Sequence, residues 1–188
     1  MSILEGPFSN KQALQDAAVF ANDVIARTLP SLDETSRNLI EATKDGSTLG
    51  DVLGITKEQK AALLDLGCRL LQVGETDKAV DVLMRLIQLD PLEERAFYAL
   101  GVAGQTRGEL GKAAQMYLQF IALDATNPMG YLRLGECLLA AKEFSEAQAA
   151  FLTAREFAEE GKGQPGNLEE AVRMLAVPEI ASAAPAAN

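Results

Sequence analysis

The stretch Leu63–Pro91, LLDLGCRLLQVGETDKAVDVLMRLIQLDP, decides the fold, because two later stretches lie over it at an offset of 34 residues. Aligning Gly67 with Gly101 and Gly135 brings Leu63, Phe97 and Tyr131 together, and also Leu66, Leu100 and Leu134. Ala79, Ala113 and Ala147 then coincide, followed by Leu83, Tyr117 and Phe151, and Asp90 meets Asp124. A period of this size marks stacked supersecondary units, none of which buries its apolar face alone. Small residues at the Gly67 and Ala79 places let two antiparallel helices approach closely where they cross. The larger residues around them fill the groove on either side.

The spacing matches the tetratricopeptide pattern W-x2-L-G-x2-Y…A-x3-F…P, with leucine in place of the aromatics in the first copy. The expected fold class is therefore all-α: a tetratricopeptide-repeat solenoid of three helix-turn-helix repeats, residues 57–91, 92–125 and 126–160. Gly74 and Gly108 mark the turns inside the first two units, and Lys142 fills that place in the third. Thr56 with Gln59 is a capping box opening the first unit. Asp90-Pro91 with Glu93 reads as a cap followed by a first-turn proline, and Asn127-Pro128 opens the third unit in the same way.

Residues 1–56 read as an N-terminal helical extension. Ser9 with Gln12 caps a helix over residues 10–29 whose stripe is Leu14, Ala17, Ala18, Ala21, Ile25 and Leu29. Pro30 ends it, and Ser31 with Glu34 caps a shorter helix ending near Lys44. Asp45-Gly46-Ser47 is a turn, and Thr48 to Ile55 a short apolar segment. After the repeats, Gly161 to Gly166 is a linker, and Asn167 with Glu170 caps a last helix within 166–176. Residues 177–188 are rich in Ala, Pro and Ser with little to bury, so a disordered tail is expected.

Composition removes several kinds of function. There is no histidine, which excludes Ser-His and Cys-His catalysis and most zinc chemistry. No carboxylate pair sits beside a nucleophile or a ligand set, so no catalytic residue, cofactor or metal is expected. The glycines of GKGQPG, Gly161–Gly166, lack the Gly-Lys-Ser/Thr ending and follow no strand, so they form a loop rather than a phosphate cradle. The net charge of −10 and the lack of a Lys/Arg cluster argue against nucleic acid. No apolar run reaches the length of a membrane span, and the opening MSILEGPFSNKQ does not read as a secretory signal. Cys68 and Cys137 lie in different repeats without metal-like spacing and read as reduced, buried thiols of a cytosolic protein.

In repeats of this kind the first helix of each unit lines the inner face of the stack. Counting from Lys60, Glu94 and Pro128, the second, fifth, ninth and twelfth places face inward. They are Ala61, Leu64, Cys68 and Leu71; Arg95, Tyr98, Val102 and Gln105; and Met129, Leu132, Glu136 and Leu139. Most are apolar, while Leu63, Leu66, Leu70 and their equivalents read as the core set. Two readings fit this second apolar row. Either the N-terminal helix or a second copy of the chain covers it, or it receives an extended apolar segment of a partner. Of the inward residues only Arg95 is basic, and Glu136 has the wrong sign, so a clamp for a chaperone's C-terminal carboxylate is not expected.

The stretch DGSTLGDVLGITKEQKAALLDLGCRLLQVGETDKAVDVLMRLIQLD, Asp45–Asp90, resembles the start of the class II chaperones of type III secretion, which guard the translocator proteins. GYLRLGECLLAAKEFSEAQAAFLTARE, Gly130–Glu156, resembles their third repeat. The chain has Leu64, Cys68 and Leu71 where the family often carries tyrosines. The resemblance implies a bacterial cytoplasmic chaperone without a nucleotide cycle, and not an enzyme. It implies two different apolar translocator clients, each gripped by a short extended segment in the concave groove, and a homodimer formed through the N-terminal helices. A generic tetratricopeptide adaptor or scaffold subunit is the alternative reading.

Overall fold

The computed structural model describes residues 46–183. Among them are nine helices and no strand, in the order α1 (Leu49–Val52), α2 (Lys57–Gln72), α3 (Thr76–Leu89), α4 (Glu94–Thr106), α5 (Leu110–Leu123), α6 (Pro128–Ala140), α7 (Phe144–Glu159), α8 (Asn167–Leu175) and α9 (Pro178–Ala181). The helices expected over 10–29 and 31–44, with their caps, and the last five residues of the tail lie outside the described residues.

Three antiparallel pairs, α2/α3, α4/α5 and α6/α7, form the array, and each pair packs on the next. The turns inside them need a left-handed residue. Gly74 and Gly108 supply it at φ 80° and 72°, and Lys142 adopts φ 66° in the third turn, the one non-glycine residue at positive φ among those described. Within each pair a large side chain lies on a glycine. A Cβ on Gly67 would come within 2.6 Å of Leu83, one on Gly135 within 2.5 Å of Phe151, and one on Gly101 would collide with the Tyr117 ring. Ala79, Ala113 and Ala147 beside these crossings are fully buried. The repeated small and large residues of the sequence are thus the two halves of one contact.

Capping follows the sequence at some ends and departs at others. Thr56 and Gln59 form the capping box that opens α2, and Asn127 accepts from the Met129 amide with Pro128 in the first turn of α6. Thr48 and Asp51 form a further capping box on α1. Asp90, expected as a cap for α4, instead closes α3, and α4 begins at Glu94 after Glu93. Pro91 pushes the chain through a turn before the helix starts, and the Asp90 carboxylate is drawn to Lys60. At α8 the cap position is the left-handed Gly166. Asn167 is the first helical residue, and its Oδ1 accepts from the Gln164 amide at 2.7 Å.

Two expectations about burial are corrected. Leu66, expected in the core, is 46% exposed, whereas its equivalents Leu100 and Leu134 are 5% and 6% exposed. The second helix of a preceding unit covers the latter two, and none covers Leu66 among the described residues. Residues 177–183, expected to be disordered, are ordered through α9. Ile180 is fully buried, and its carbonyl accepts from Gln148 Nε2 of α7 at 2.8 Å. One apolar side chain and one backbone acceptor hold this short helix on the array.

A buried lysine ties the entrance of the array together. Lys60 Nζ donates to Thr48 Oγ1 at 3.0 Å, Asp51 Oδ1 at 2.7 Å and Asp90 Oδ2 at 3.0 Å. All three protons of the ammonium are satisfied, and α1 is fixed to both helices of the first unit. Gly50 permits this approach, since a Cβ there would meet Lys60 Cε at 2.9 Å.

Candidate peptide groove

The inward places of α2, α4 and α6 divide into three groups. Leu64 and Leu132 are buried: the first packs with Leu83, Leu86 and Leu100, the second with the Tyr117 and Phe151 cluster. Both were expected to face an open groove. Instead they support its floor, because neighbouring helices close over the fifth place of the first and third units. Cys68, Leu71, Tyr98, Val102, Gln105, Met129, Glu136 and Leu139 are half-buried, and Ala61 and Arg95 are exposed.

Two hollows join four of these residues, Ala61, Arg95, Tyr98 and Met129, across unit boundaries; Cys68, Leu71, Val102, Gln105, Glu136 and Leu139 line neither. One, of about 490 Å³, lies between the starts of α4 and α6 and the loop before α8. Arg95, Tyr98 and Met129 line it with Phe120 and Gln164. The other, of about 520 Å³, joins Ala61 to Arg95 along the Lys60 tether and the acidic residues Glu93 and Glu94. Arg95 stands at the border of both. Its Nε and Nη2 donate to Glu93 at 2.7 and 2.9 Å, which holds its charge more firmly than usual. The Tyr98 ring is held edge-on against Tyr117, with centroids 5.8 Å apart, and tilted on Phe120 at 5.5 Å. The first hollow therefore has a rigid aromatic wall, an adaptable Met129 side and a charged rim carrying both Arg95 and Glu94.

Deeper along α4 and α6 the polar places are linked to one another. Tyr117 Oη donates to Gln105 Oε1, and Gln105 Nε2 donates to Glu136 Oε2 at 3.2 Å. Arg133 Nη1 donates to both oxygens of Glu136 at 3.1 and 2.9 Å, and Arg133 Nε donates to the Tyr98 hydroxyl at 3.1 Å. Burial pushes the Tyr117 phenol upward, so it remains a neutral donor. Burial opposes the Arg133 charge, but the bonds to Tyr98 and Glu136 outweigh it and keep the guanidinium charged. Arg133 and Tyr117 were not among the expected site residues. Arg133 lies one place away from the counted row, and the signal that identifies it is its i,i+3 spacing to Glu136. Gln105 and Glu136 keep internal partners, so the chain sets their orientation before any ligand arrives.

Cys137 is fully buried, and burial pushes its thiol up to about 12. Cys68 is half-buried with its thiol also raised. Among the described residues no group of His, Cys, Asp and Glu is arranged to hold a metal ion, and no helix is long and apolar enough to cross a membrane.

A family model described as tetratricopeptide repeat matches residues 64–128. A type III secretion complex from Aeromonas hydrophila contains a chain 29% identical to this one, at a TM-score of 0.65 over 72% of this chain and 89% of that one. The translocator chaperone SycD of Yersinia enterocolitica is 26% identical, at a TM-score of 0.63 over 71% of this chain and 97% of its own. PcrH of Pseudomonas aeruginosa, solved with the chaperone binding region of PopD, is 28% identical at a TM-score of 0.60, over 67% of this chain and 92% of its own. The chain has the tetratricopeptide-repeat fold of the type III secretion translocator chaperones. No curated protein matches the sequence significantly.

Proposed function

We propose that the protein is a bacterial cytoplasmic chaperone of type III secretion. It holds apolar translocator proteins by an extended segment laid along the first helices of its repeats, and so prevents their premature association before export. The observation that carries this reading is the hollow walled by Tyr98 and Met129 and rimmed by Arg95, in an array that shares its fold with PcrH. PcrH has been solved with the chaperone binding regions of both PopD and PopB, and SycD with a peptide of YopD. An extended segment suits such a surface. Alternate side chains enter hollows, while its backbone meets the fixed polar atoms of Arg95 and Arg133. Burying two or three apolar side chains contributes about 1.5–3 kcal/mol each before ordering costs, enough for roughly micromolar binding.

The role is stoichiometric: one chaperone covers one client, two translocators use the same groove in turn, and the chaperone pairs with itself when free. Capture from the native host followed by mass spectrometry tests this. The expected result is apolar secreted translocators retained by the wild-type protein and lost from Val102→Asp, which alters a half-buried groove residue outside both core clusters. A wild-type capture free of such proteins, or equal retention by the variant, would overturn the reading.

A further inference from the structure

The glycine-rich loop between α7 and α8 borders the hollow at Tyr98: Gly163 and Gln164 line it together with Arg95 and Met129. Gly163, at φ 77°, is pressed on the first turn of α6, and a Cβ there would collide with the Pro128 ring and meet Asn167 Oδ1 at 2.6 Å. One residue then closes the Gln164 backbone. Its amide donates to Asn167 Oδ1 at 2.7 Å, and its carbonyl accepts from the Asn167 amide at 3.1 Å. Asn167 is 3% exposed, so this clamp is shielded from competing water. The Gln164 side chain, by contrast, makes no hydrogen bond among the described residues. A fixed backbone thus holds an uncommitted carboxamide at an aromatic hollow.

We infer that Gln164 reads the client's backbone in this hollow and sets which residue of the segment is seated beside Tyr98. This rests on the groove reading above and adds a residue that fixes the register. The other polar groups of the hollow are committed or wrongly equipped. Asn127 caps α6 with its Oδ1, and its Nδ2 donates to Asp124 at 3.0 Å. The Arg95 guanidinium holds Glu93, and the Tyr98 hydroxyl accepts from Arg133 Nε. Glu94 can only accept, whereas an extended backbone offers both donors and acceptors. The Gln164 carboxamide matches both: Nε2 donates to a client carbonyl, and Oε1 accepts from a client amide N–H. Such a pairing tolerates most side chains but not proline, which removes the donor at the residue facing Oε1. The ligand recognised here is therefore an extended apolar segment with a free backbone N–H next to the residue seated on Tyr98.

Capture of full-length variants from the native host, read by mass spectrometry as translocator per chaperone after a fixed wash, tests this. Gln164→Ala is expected to retain about tenfold less translocator than wild type, the effect of two lost net hydrogen bonds. Lys162→Ala, on the same loop but outside the hollow, retains as much as wild type. Melting temperatures stay unchanged in both variants. Single prolines are then placed through the stretch of translocator that crosslinks to a photoreactive residue at position 164. One position is expected to weaken capture by wild type about fivefold and to have little further effect on Gln164→Ala, because both changes remove the same bond. Equal retention by Gln164→Ala, or losses that simply add at every proline, would overturn the inference, and the groove would still stand if Val102→Asp loses the client. Retention by Val102→Asp, or a wild-type capture without translocators, would overturn the groove reading and this inference with it.

Discussion

The Tyr117 ring packs against the Gly101 backbone, with no room for a side-chain carbon between them. The same pairing joins Gly67 to Leu83 and Gly135 to Phe151. A glycine on the first helix and a large residue on the second thus set the distance between helices three times over.

That contact makes Gly101 intolerant of substitution. Gly101→Ala is expected to cost about 1–3 kcal/mol, because the Tyr117 ring must shift within a packed core. Gly101→Leu is expected not to fold. Gly111, by comparison, lies in α5 with open space around its Cβ position, and Gly111→Ala is expected to gain up to about 1 kcal/mol. Urea unfolding followed by circular dichroism measures all three, and a Gly101→Leu protein as stable as wild type would refute the packing account.

The Lys60 tether gives the entrance of the array a defined pH window. Asp51 is held well below the usual carboxylate range, first by Lys60 and then by Thr48, so its contribution is complete above about pH 4 and fades on acidification through the lowered value. Lys60 is held above its ordinary value, first by Asp51, so its contribution is complete below about pH 10.5 and fades as alkali passes the raised value. Protection of the α1 amides should therefore hold between those limits. In Lys60→Met the Asp51 titration, followed by carboxyl NMR, should move up toward about 4 without reaching it, since Thr48 N and Oγ1 still donate to Oδ2. An unmoved titration would show that Lys60 does not hold α1.

Ile180 is the apolar anchor of α9. Ile180→Ala is expected to lower stability by about 2–4 kcal/mol and to expose the α9 amides to exchange. Unchanged exchange in that variant would mean that the Gln148 hydrogen bond alone holds the segment.

The two thiols should separate kinetically. With its thiol pushed up to about 12 and no solvent contact, Cys137 should resist iodoacetamide at pH 8 in the folded protein, while half-buried Cys68 reacts slowly. Mass spectrometry reads the site of the adduct, and rapid labelling of Cys137 would mean that the third unit opens.

The repeat was legible in the sequence because its deciding contact joins residues sixteen apart in a fixed register, as Gly101 and Tyr117 are. Turn chemistry was legible for the same local reason, even where Lys142 replaces glycine. What escaped depends on distant neighbours. Lys60 meets Asp90 across thirty residues, and nothing near either marks the pair. Leu66 has the same local pattern as Leu100, and only the element beside it decides its burial. Ile180 is one apolar residue in an Ala- and Pro-rich stretch, too little for a periodicity to show. In the groove, place-counting identified the helix faces but not which fifth-place residues the next helix closes over. For that reason Leu64→Asp is a stability variant, whereas Val102→Asp and Met129→Asp leave both core clusters intact.

The most direct measurement places a photo-crosslinking amino acid at half-buried Val102, in the proposed groove row, and separately at Asp81, on the exposed side of α3, in the native host. The expected result is an adduct to an apolar translocator from position 102, mapped to one short extended segment of it, and none from position 81. Adducts from position 81 alone, or from both positions equally, would contradict a client held in the groove.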